Sequence, residues 1–253
     1  MQEMTQIGPI DLDAELDLLA RRYRRASGGA VELLNMVGGR AEGLLDKLPA
    51  AARSGLQGAT KRALEQAMKA AGSSRSYVPD QKSWVNTAVG AAMGAVGGAG
   101  GLPTALAELP VTTTLLLRII QGVAVEHGFD PASQSVQFDC IEVFASAGPL
   151  AQDDGADLGF LSARVTLTGA AFQGIIARVA PRLATVLGQK LAAQTVPVLG
   201  AVAGAATNYA YTNYYQEIAH VHFGLRKLAI DADVPLETLV SRLRDKMQSR
   251  DMM

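Results

Sequence analysis

Two long stretches without a charged residue constrain the fold of this chain most strongly. Residues 83–107 and 191–216 contain no Asp, Glu, Lys or Arg, and each is longer than the ~20 residues that a helix needs to cross a bilayer. Their main residues are Ala, Gly, Thr and Pro, however, and Ala and Gly gain little free energy on transfer to lipid. We therefore expect buried or membrane-surface helices in these stretches, and we rank membrane-spanning helices below both.

The small side chains also predict how these helices pack. Glycines recur at four-residue spacing at Gly90, Gly94 and Gly98, which lets helix backbones approach closely. Each helical Gly costs ~1 kcal/mol relative to Ala, so tight packing must compensate. Elsewhere apolar residues recur at helical spacing, without the alternation of a strand. The sequence predicts an all-α fold, a multi-helix bundle with closely packed Ala/Gly-rich helices and no sheet.

Glycines, prolines and short polar residues predict where the helices begin and end. The triplet Ser27-Gly28-Gly29 is expected to end the first helix. Pro110 fits the first turn of a later helix, and Gly128 fits its C-terminal stop. Asp130 is then the predicted N-cap of the next helix. Near the C-terminus, Asn208 is expected where the small-residue segment turns into a tyrosine-rich helix.

One polar segment predicts a division of the chain. Residues 73–82, SSRSYVPDQK, have the composition of a linker. They separate an N-terminal helical region, residues 1–72, from a helical core, residues 83–253. We expect the first region to pack on the second, so that they form one compact domain.

Charge and cysteine content exclude several classes of protein. The net charge of −1 provides no basic field for nucleic acid. The single Cys140 excludes a disulfide framework and a cysteine zinc site, and it is compatible with a reducing compartment. The N-terminal residues lack the basic and apolar segments of a secretory signal, so we expect a cytoplasmic protein. Nucleotide-binding and serine-hydrolase motifs are absent, and we expect no cofactor and no catalytic site.

The titratable residues favour structural roles. His220 and His222 are two residues apart, so on a helix they point in different directions and cannot share a metal ion. His127 adjoins a helix C-terminus, where a cation is favourable. Asp139 and Glu142 lie opposite an apolar stripe that includes Cys140. We therefore expect a solvated face at the two acids and an inert core cysteine.

Arg118 and the tyrosine-rich helix supply the candidate contact residues. Arg118 lies within an apolar run, and it either meets water, pairs with Glu108 or Glu142, or contacts an anionic headgroup. Asn208 is expected to satisfy backbone or a neighbouring helix. The following helix carries a packing seam with heptad-like spacing and a flanking strip of polar and aromatic residues. The seam is Tyr211, Tyr214, Ile218, Val221, Leu225 and Leu228, and the strip is Tyr215, Ala219, His222 and Arg226.

Two blocks of sequence resemble the EcsC family. The first is ELPVTTTLLLRIIQGVAVEHGFDP with QFDCIEVFASAG, and the second is VPVLGAVAGAATNYAYTNYYQEIAHVHFGLRKL. The resemblance covers about residues 30–230. It implies a bacterial protein, because the family is named for a bacterial protein that is encoded beside an ABC transporter. It implies no catalytic role for any position. The family often has Asp where this chain has Glu108. The other matching positions are Leu109, Pro110, Arg118, Gly128, Phe129, Asp130, Pro197, Gly200, Asn208 and Arg226.

Two hypotheses of function follow. The first is a non-catalytic helical interaction protein, peripheral to the inner face of the membrane and accessory to a membrane or transport system. Its partner would be the membrane surface or a membrane protein, and the sequence leaves its oligomeric state open. The alternative is a helical lipid- or ligand-binding protein with a pocket between the Gly-rich helices. Candidate contact residues are Glu108, Arg118, Asn208, Tyr211, His222 and Arg226.

Overall fold

The computed structural model describes residues 10–38, 58–67 except 59 and 63, 83–99, 101–145 and 200–248. Six helices have complete bounds within these ranges. They are α1 (Leu12–Gly38), α2 (Ser83–Ala99), α3 (Gly101–Glu126), α4 (Gln134–Ala145), α5 (Gly200–Asp231) and α6 (Leu236–Gln248). Residues 58–67 are also helical wherever they are described. No strand occurs in the described ranges, so the predicted all-α fold is confirmed there.

The 32-residue helix α5 lies at the centre of the fold. The other five helices with complete bounds all pack against it, and its most extensive contact is with α2. All six residues of the predicted packing seam are buried, as are Tyr215, Ala219 and His222 of the flanking strip. Burial on several sides at once identifies α5 as a core helix, around which the other helices pack.

The contact between α2 and α5 depends on glycine. A Cβ atom added at Gly94 would overlap the carbonyl oxygen of Gly204 and would come within 2.7 Å of the Cβ atom of Asn208. A Cβ atom added at Gly90 would overlap the hydroxyl of Thr212. The prediction of a closely crossed helix is therefore confirmed at these two positions. The pairing of Gly90 with Thr212 and Gly94 with Gly204 makes α2 antiparallel to α5.

The end of α3 matches its prediction. Gly128 has a φ of 83°, and its N–H donates to the carbonyl of Val125 at 2.9 Å. The N–H of Phe129 donates to the carbonyl of Ala124 at 2.9 Å. These two bonds form a Schellman motif, in which a left-handed residue closes the helix.

Four predicted boundaries were wrong. Helix α1 continues through Ser27-Gly28-Gly29, because its apolar face packs along the long helix α5 and offsets the low helix propensity of glycine. Pro110 lies inside α3, where the hydroxyl of Thr114 donates to its carbonyl at 2.8 Å.

Ser133 caps α4 in place of Asp130, since its hydroxyl accepts from the N–H of Val136 at 3.4 Å. Asn208 lies within the continuous helix α5.

Helix α6 closes the bundle against α1. Its predicted apolar stripe is buried, and Lys246 contacts two acids of α1, Asp17 at 3.0 Å and Asp13 at 3.3 Å. Asp11 is the N-cap of α1, because its carboxylate accepts hydrogen bonds from the N–H groups of Asp13 and Ala14, each at 3.1 Å. The predicted linker, residues 73–82, lies outside the described residues, and the domain division stays a prediction.

Candidate functional site: two polar clusters on the central helix

The C-terminal half of α5 carries two separate polar clusters. His220 and His222 belong to different ones, as their spacing predicts. The first cluster joins α5 to α4, and the second joins α5 to α1 and to the end of α3.

Asp139 of α4 is the centre of the first cluster. Its side chain is only 10% exposed, and its two carboxylate oxygens face two residues of α5. Arg226 donates from Nη1 to Oδ2, and Nε2 of His222 lies 3.4 Å from Oδ1. The guanidinium carbon of Arg226 lies 4.8 Å from the ring centroid of Phe129, in a cation–π arrangement. The cluster therefore binds α4 to α5 through one buried carboxylate.

The solvated face predicted at Asp139 was wrong. The residue is 7% exposed overall, and the charge is tolerated because the Arg226 guanidinium neutralises it. The sequence contained a weak signal in the four-residue spacing of His222 and Arg226, which puts both side chains on one side of a helix. Nothing local to residues 134–145 identifies a partner 87 residues later in the chain.

Burial controls the protonation of His222. It lowers the pKa of this imidazole to about 4, and Glu142 opposes the shift. His222 is therefore neutral at physiological pH, and a neutral imidazole beside a neutralised carboxylate is suited to a structural contact.

A histidine pair is the centre of the second cluster. Nε2 of His127 lies 3.2 Å from Nδ1 of His220, and the two rings are edge-on with centroids 5.5 Å apart. Nε2 of His220 lies 3.8 Å from the carboxylate of Glu126. Beside the pair, Nη1 of Arg22 donates to the carboxylate of Glu217 at 3.0 Å.

Both imidazoles of this pair are held neutral. Burial is the largest cause for each, and it lowers the pKa of His220 to about 4 with further contributions from Arg22 and His127. Burial, Arg22 and Lys227 lower the pKa of His127. The cation expected at the C-terminus of α3 is therefore corrected to a neutral ring, because desolvation and nearby cations outweigh the helix dipole.

The predicted contact residues do not form one group. Asn208 and Tyr211 are buried near the crossing of α5 with α2, whereas Arg226 lies 18 residues beyond Asn208, or about 27 Å along the helix. Arg118 is partly buried on α3, and the side chain of Glu108 lies outside the described side chains. Of the six, His222 and Arg226 come together, through Asp139. At the Gly94–Gly204 crossing, the backbones leave no space for a ligand between α2 and α5.

The two helices that cross here have no charged residue in this region. Helix α2 contains no charged residue, and α5 contains none before Glu217. Three large apolar or aromatic residues are exposed here, Val89 at 45%, Val202 at 63% and Tyr209 at 46%. Val89 adjoins Gly90, which packs on Thr212, and Tyr209 lies one turn before Thr212. We call these three residues and the exposed Ala88 and Ala92 the uncharged surface.

Two further tests concern metal ions and membranes. The described residues contain no group of three or more His, Cys, Asp or Glu side chains arranged to hold a metal ion. Within the same part of the chain, no helix combines the length and the hydropathy needed to cross a membrane. Cys140 is buried in the core, as predicted.

Comparison with known proteins gives a family and no individual relative. Searches of curated proteins and of solved structures found no match. The model of the EcsC protein family matches residues 45–228, a narrower range than the 30–230 expected from the sequence blocks. This range includes α2, α3, α4 and most of α5, and so it includes both polar clusters except Arg22. It spans more than two thirds of the chain, and the chain therefore belongs to the EcsC protein family.

Proposed function

We propose that this chain is a non-catalytic helical accessory to a membrane or transport system, and that it binds peripherally to the inner face of the membrane. One observation supports the proposal: the uncharged surface exposes Val89, Val202 and Tyr209 on two helices that carry no charge in this region. Contiguous exposed apolar residues mark interaction sites. Helices with exposed apolar faces bind at the boundary between lipid headgroups and acyl chains.

The polar clusters support a non-catalytic role. Asp139 is neutralised by Arg226, and His222, His220 and His127 are held neutral by burial and nearby cations. Each of these groups contacts another helix of the bundle. They therefore serve to fix α1, the end of α3 and α4 around α5.

Flotation with lipid vesicles tests the proposal. The full chain is mixed with vesicles of phosphatidylcholine and phosphatidylglycerol and centrifuged through a density gradient. We expect the protein to float with the vesicles and to remain bound in high salt, because the contact is apolar. The variant Val89→Asp/Val202→Asp should lose most of this binding, because each substitution puts a charge into the contact.

Ile230→Asp is the matched control. Ile230 is 65% exposed, close to the 63% of Val202, and it lies on the same helix. It is 28 residues from Val202, or about 42 Å along α5, outside the uncharged surface. This variant should float like the wild type. A wild-type chain that stays at the bottom of the gradient would exclude membrane-surface binding, and unaltered flotation of the double variant would show that the uncharged surface is not the face that binds. Circular dichroism checks that each variant is folded.

A further inference from the structure

Helix α1 carries a face of arginines that the polar clusters use only in part. Arg21, Arg22 and Arg25 lie three, four and seven residues after Leu18, which places all four residues on one side of the helix. Arg21 and Arg25 are exposed, and Leu18 is 45% exposed. The apolar residues that α1 packs into the bundle lie on the other side of the helix. We call Leu18, Arg21, Arg22 and Arg25 the basic face.

The basic face carries more positive than negative charge. Residues 18–31 contain four arginines and no acid. Within the described part of the chain, Arg22 is the one residue of this face with an acidic contact, to Glu217 at 3.0 Å, and its side chain is still 34% exposed. The nearest acid before the face, Asp17, contacts Lys246 of α6. Arg21 and Arg25 are therefore available to an external anion.

The direction of α1 brings the basic face toward the uncharged surface. A Cβ atom added at Gly224 would lie 2.8 Å from Cδ2 of Leu19, whereas Arg22 contacts Glu217, which comes earlier on α5. Helix α1 is therefore antiparallel to α5, and its residues after Arg22 continue toward the N-terminal half of α5. Glu217 itself is about 12 Å along the helix from Tyr209 of the uncharged surface.

The two faces also lie on adjoining sides of α5. With a period of about 3.6 residues, Val202 and Tyr209 lie between the side of α5 that contacts α2 at Thr212 and the side that contacts α1 at Glu217. The exposed part of the uncharged surface thus borders α1 and its basic face, so that one flat partner can contact both.

We propose that the basic face binds the phosphate groups of anionic phospholipids while the uncharged surface contacts the same membrane. The inference rests on the proposed function, to which it adds the class of lipid. Guanidinium groups bind phosphate oxygens through paired N–H groups, and the cytoplasmic leaflet contains anionic lipids. The exposed side chain of Leu18 among the arginines favours lipid over nucleic acid, because it can enter the boundary between headgroups and acyl chains.

The affinity for membranes should therefore depend on lipid charge and on salt. A basic residue near an anionic membrane contributes about fivefold to affinity, so Arg21 and Arg25 together should contribute roughly 25-fold. Screening in high salt should remove this contribution and leave the apolar contact of the uncharged surface.

Vesicle binding by the full chain tests the inference. Flotation is measured over a range of lipid concentrations, with vesicles of phosphatidylcholine alone and of phosphatidylcholine and phosphatidylglycerol in equal parts. At low salt we expect tighter binding to the mixed vesicles, by tens-fold, and in high salt we expect equal binding to both. Arg21→Gln/Arg25→Gln should lose roughly 25-fold in affinity for the mixed vesicles and should keep the wild-type affinity for phosphatidylcholine alone.

Arg242→Gln/Arg244→Gln is the matched control, because it removes two exposed arginines from α6 and changes the net charge equally. It should keep most of the wild-type preference for the mixed vesicles. Equal losses in the two double variants would show attraction by overall charge and would overturn the proposal. Binding of duplex DNA, weakened by the same Arg21→Gln/Arg25→Gln variant, would reassign the face to nucleic acid.

The outcomes separate this inference from the proposed function. A wild-type chain that floats with neither kind of vesicle refutes both. Equal wild-type binding to the two kinds at low salt keeps the proposed function and refutes the role of the basic face, and this result needs no variant. Loss of flotation in Arg21→Gln/Arg25→Gln, with unaltered flotation of Val89→Asp/Val202→Asp, keeps the basic face and excludes the uncharged surface.

Discussion

At the scale of single residues, the carboxylate of Asp139 can lie in the contact between α4 and α5 because Arg226 neutralises it there. Forming this pair has a desolvation cost, since both charged groups leave water. It stays favourable because Arg226 is still 26% exposed and also lies against the ring of Phe129. Removal of one partner would leave the other charge in a partly apolar environment, which costs more than the pair itself contributes.

We therefore expect Asp139→Asn to lower the free energy of unfolding by about 1.5–3 kcal/mol, the range for hydrogen bonds to charged groups. Urea unfolding at pH 7.5 measures the change. Asp231→Asn is the control, because it breaks the exposed pair of Lys227 and Asp231, which are 2.9 Å apart and one turn apart on α5. That pair should contribute about 0.5 kcal/mol or less.

The double variant Asp139→Asn/Arg226→Gln, compared with the two single variants, measures the interaction energy between Asp139 and Arg226. If the two groups are coupled, its loss of stability should be smaller than the sum of the two single losses by about 1–3 kcal/mol. Equal losses for Asp139→Asn and Asp231→Asn would mean that the buried position of Asp139 has no energetic consequence.

At the scale of helices, the crossing of α2 over α5 requires a residue without a side chain at Gly94. The carbonyl carbon of Gly204 would lie 2.6 Å from a Cβ atom added at Gly94. This neighbour is backbone and cannot rotate away, so the helices would have to separate. Gly90 differs, because its nearest neighbour is the side chain of Thr212, which can change rotamer.

Gly94→Ala should therefore destabilise the protein by about 1–3 kcal/mol, the usual cost of overpacking. Gly28→Ala is the matched control: it makes the same change inside α1, where a Cβ atom would meet nothing within 4 Å. It should stabilise the protein by up to about 1 kcal/mol, because Ala has the higher helix propensity. Thermal unfolding followed by circular dichroism shows whether each substitution stabilises or destabilises the protein. A stabilising Gly94→Ala would contradict the close crossing.

Local sequence patterns predict these helices well where the pattern itself is the physical cause. The spacing of Gly90 and Gly94 predicts the close crossing, and the apolar stripe of α6 is buried as expected. Gly128 ends α3 because few other residues adopt a positive φ. In each case a short segment contains the information that decides its own conformation.

The same patterns fail where a distant segment decides. Gly28 does not end α1, because contacts with α5 extend the helix. Asp139 is buried because of Arg226. His127 is neutral because of its burial against other helices and, to a smaller extent, because of Arg22 and Lys227. The partners of Asp139 and His127 lie 87 and 93 residues away in the chain, so periodicity within one helix cannot identify them.

At the scale of the whole molecule, the three histidines give the protein a common response to acid. All three lie on or beside α3 and α5, and burial is the largest cause of the lowered pKa of each. A lowered pKa in the folded state means that the unfolded chain binds more protons below pH ~6.5. Their contribution to stability is therefore complete above that pH and is lost as the pH falls toward 4.

His222 gives the clearest test of this response, because it is 4% exposed and contacts α4, apart from the His127–His220 pair. With a pKa of about 4 in the folded state, it should account for a loss of about 2 kcal/mol between pH 7.5 and pH 5. Urea unfolding at pH 7.5, 6.0 and 5.0 measures the wild type and His222→Gln, whose amide can occupy the position of Nε2 and does not titrate.

The comparison depends on the slope against pH and not on the stability at one pH, because His222→Gln also changes the packing beside Asp139 and Phe223. A packing loss shifts the whole curve, whereas the loss of a titrating group makes it flatter. We expect the variant to lose about 2 kcal/mol less than the wild type over this range. Parallel curves would show that His222 is protonated equally in the folded and unfolded states, and that its burial does not control its charge.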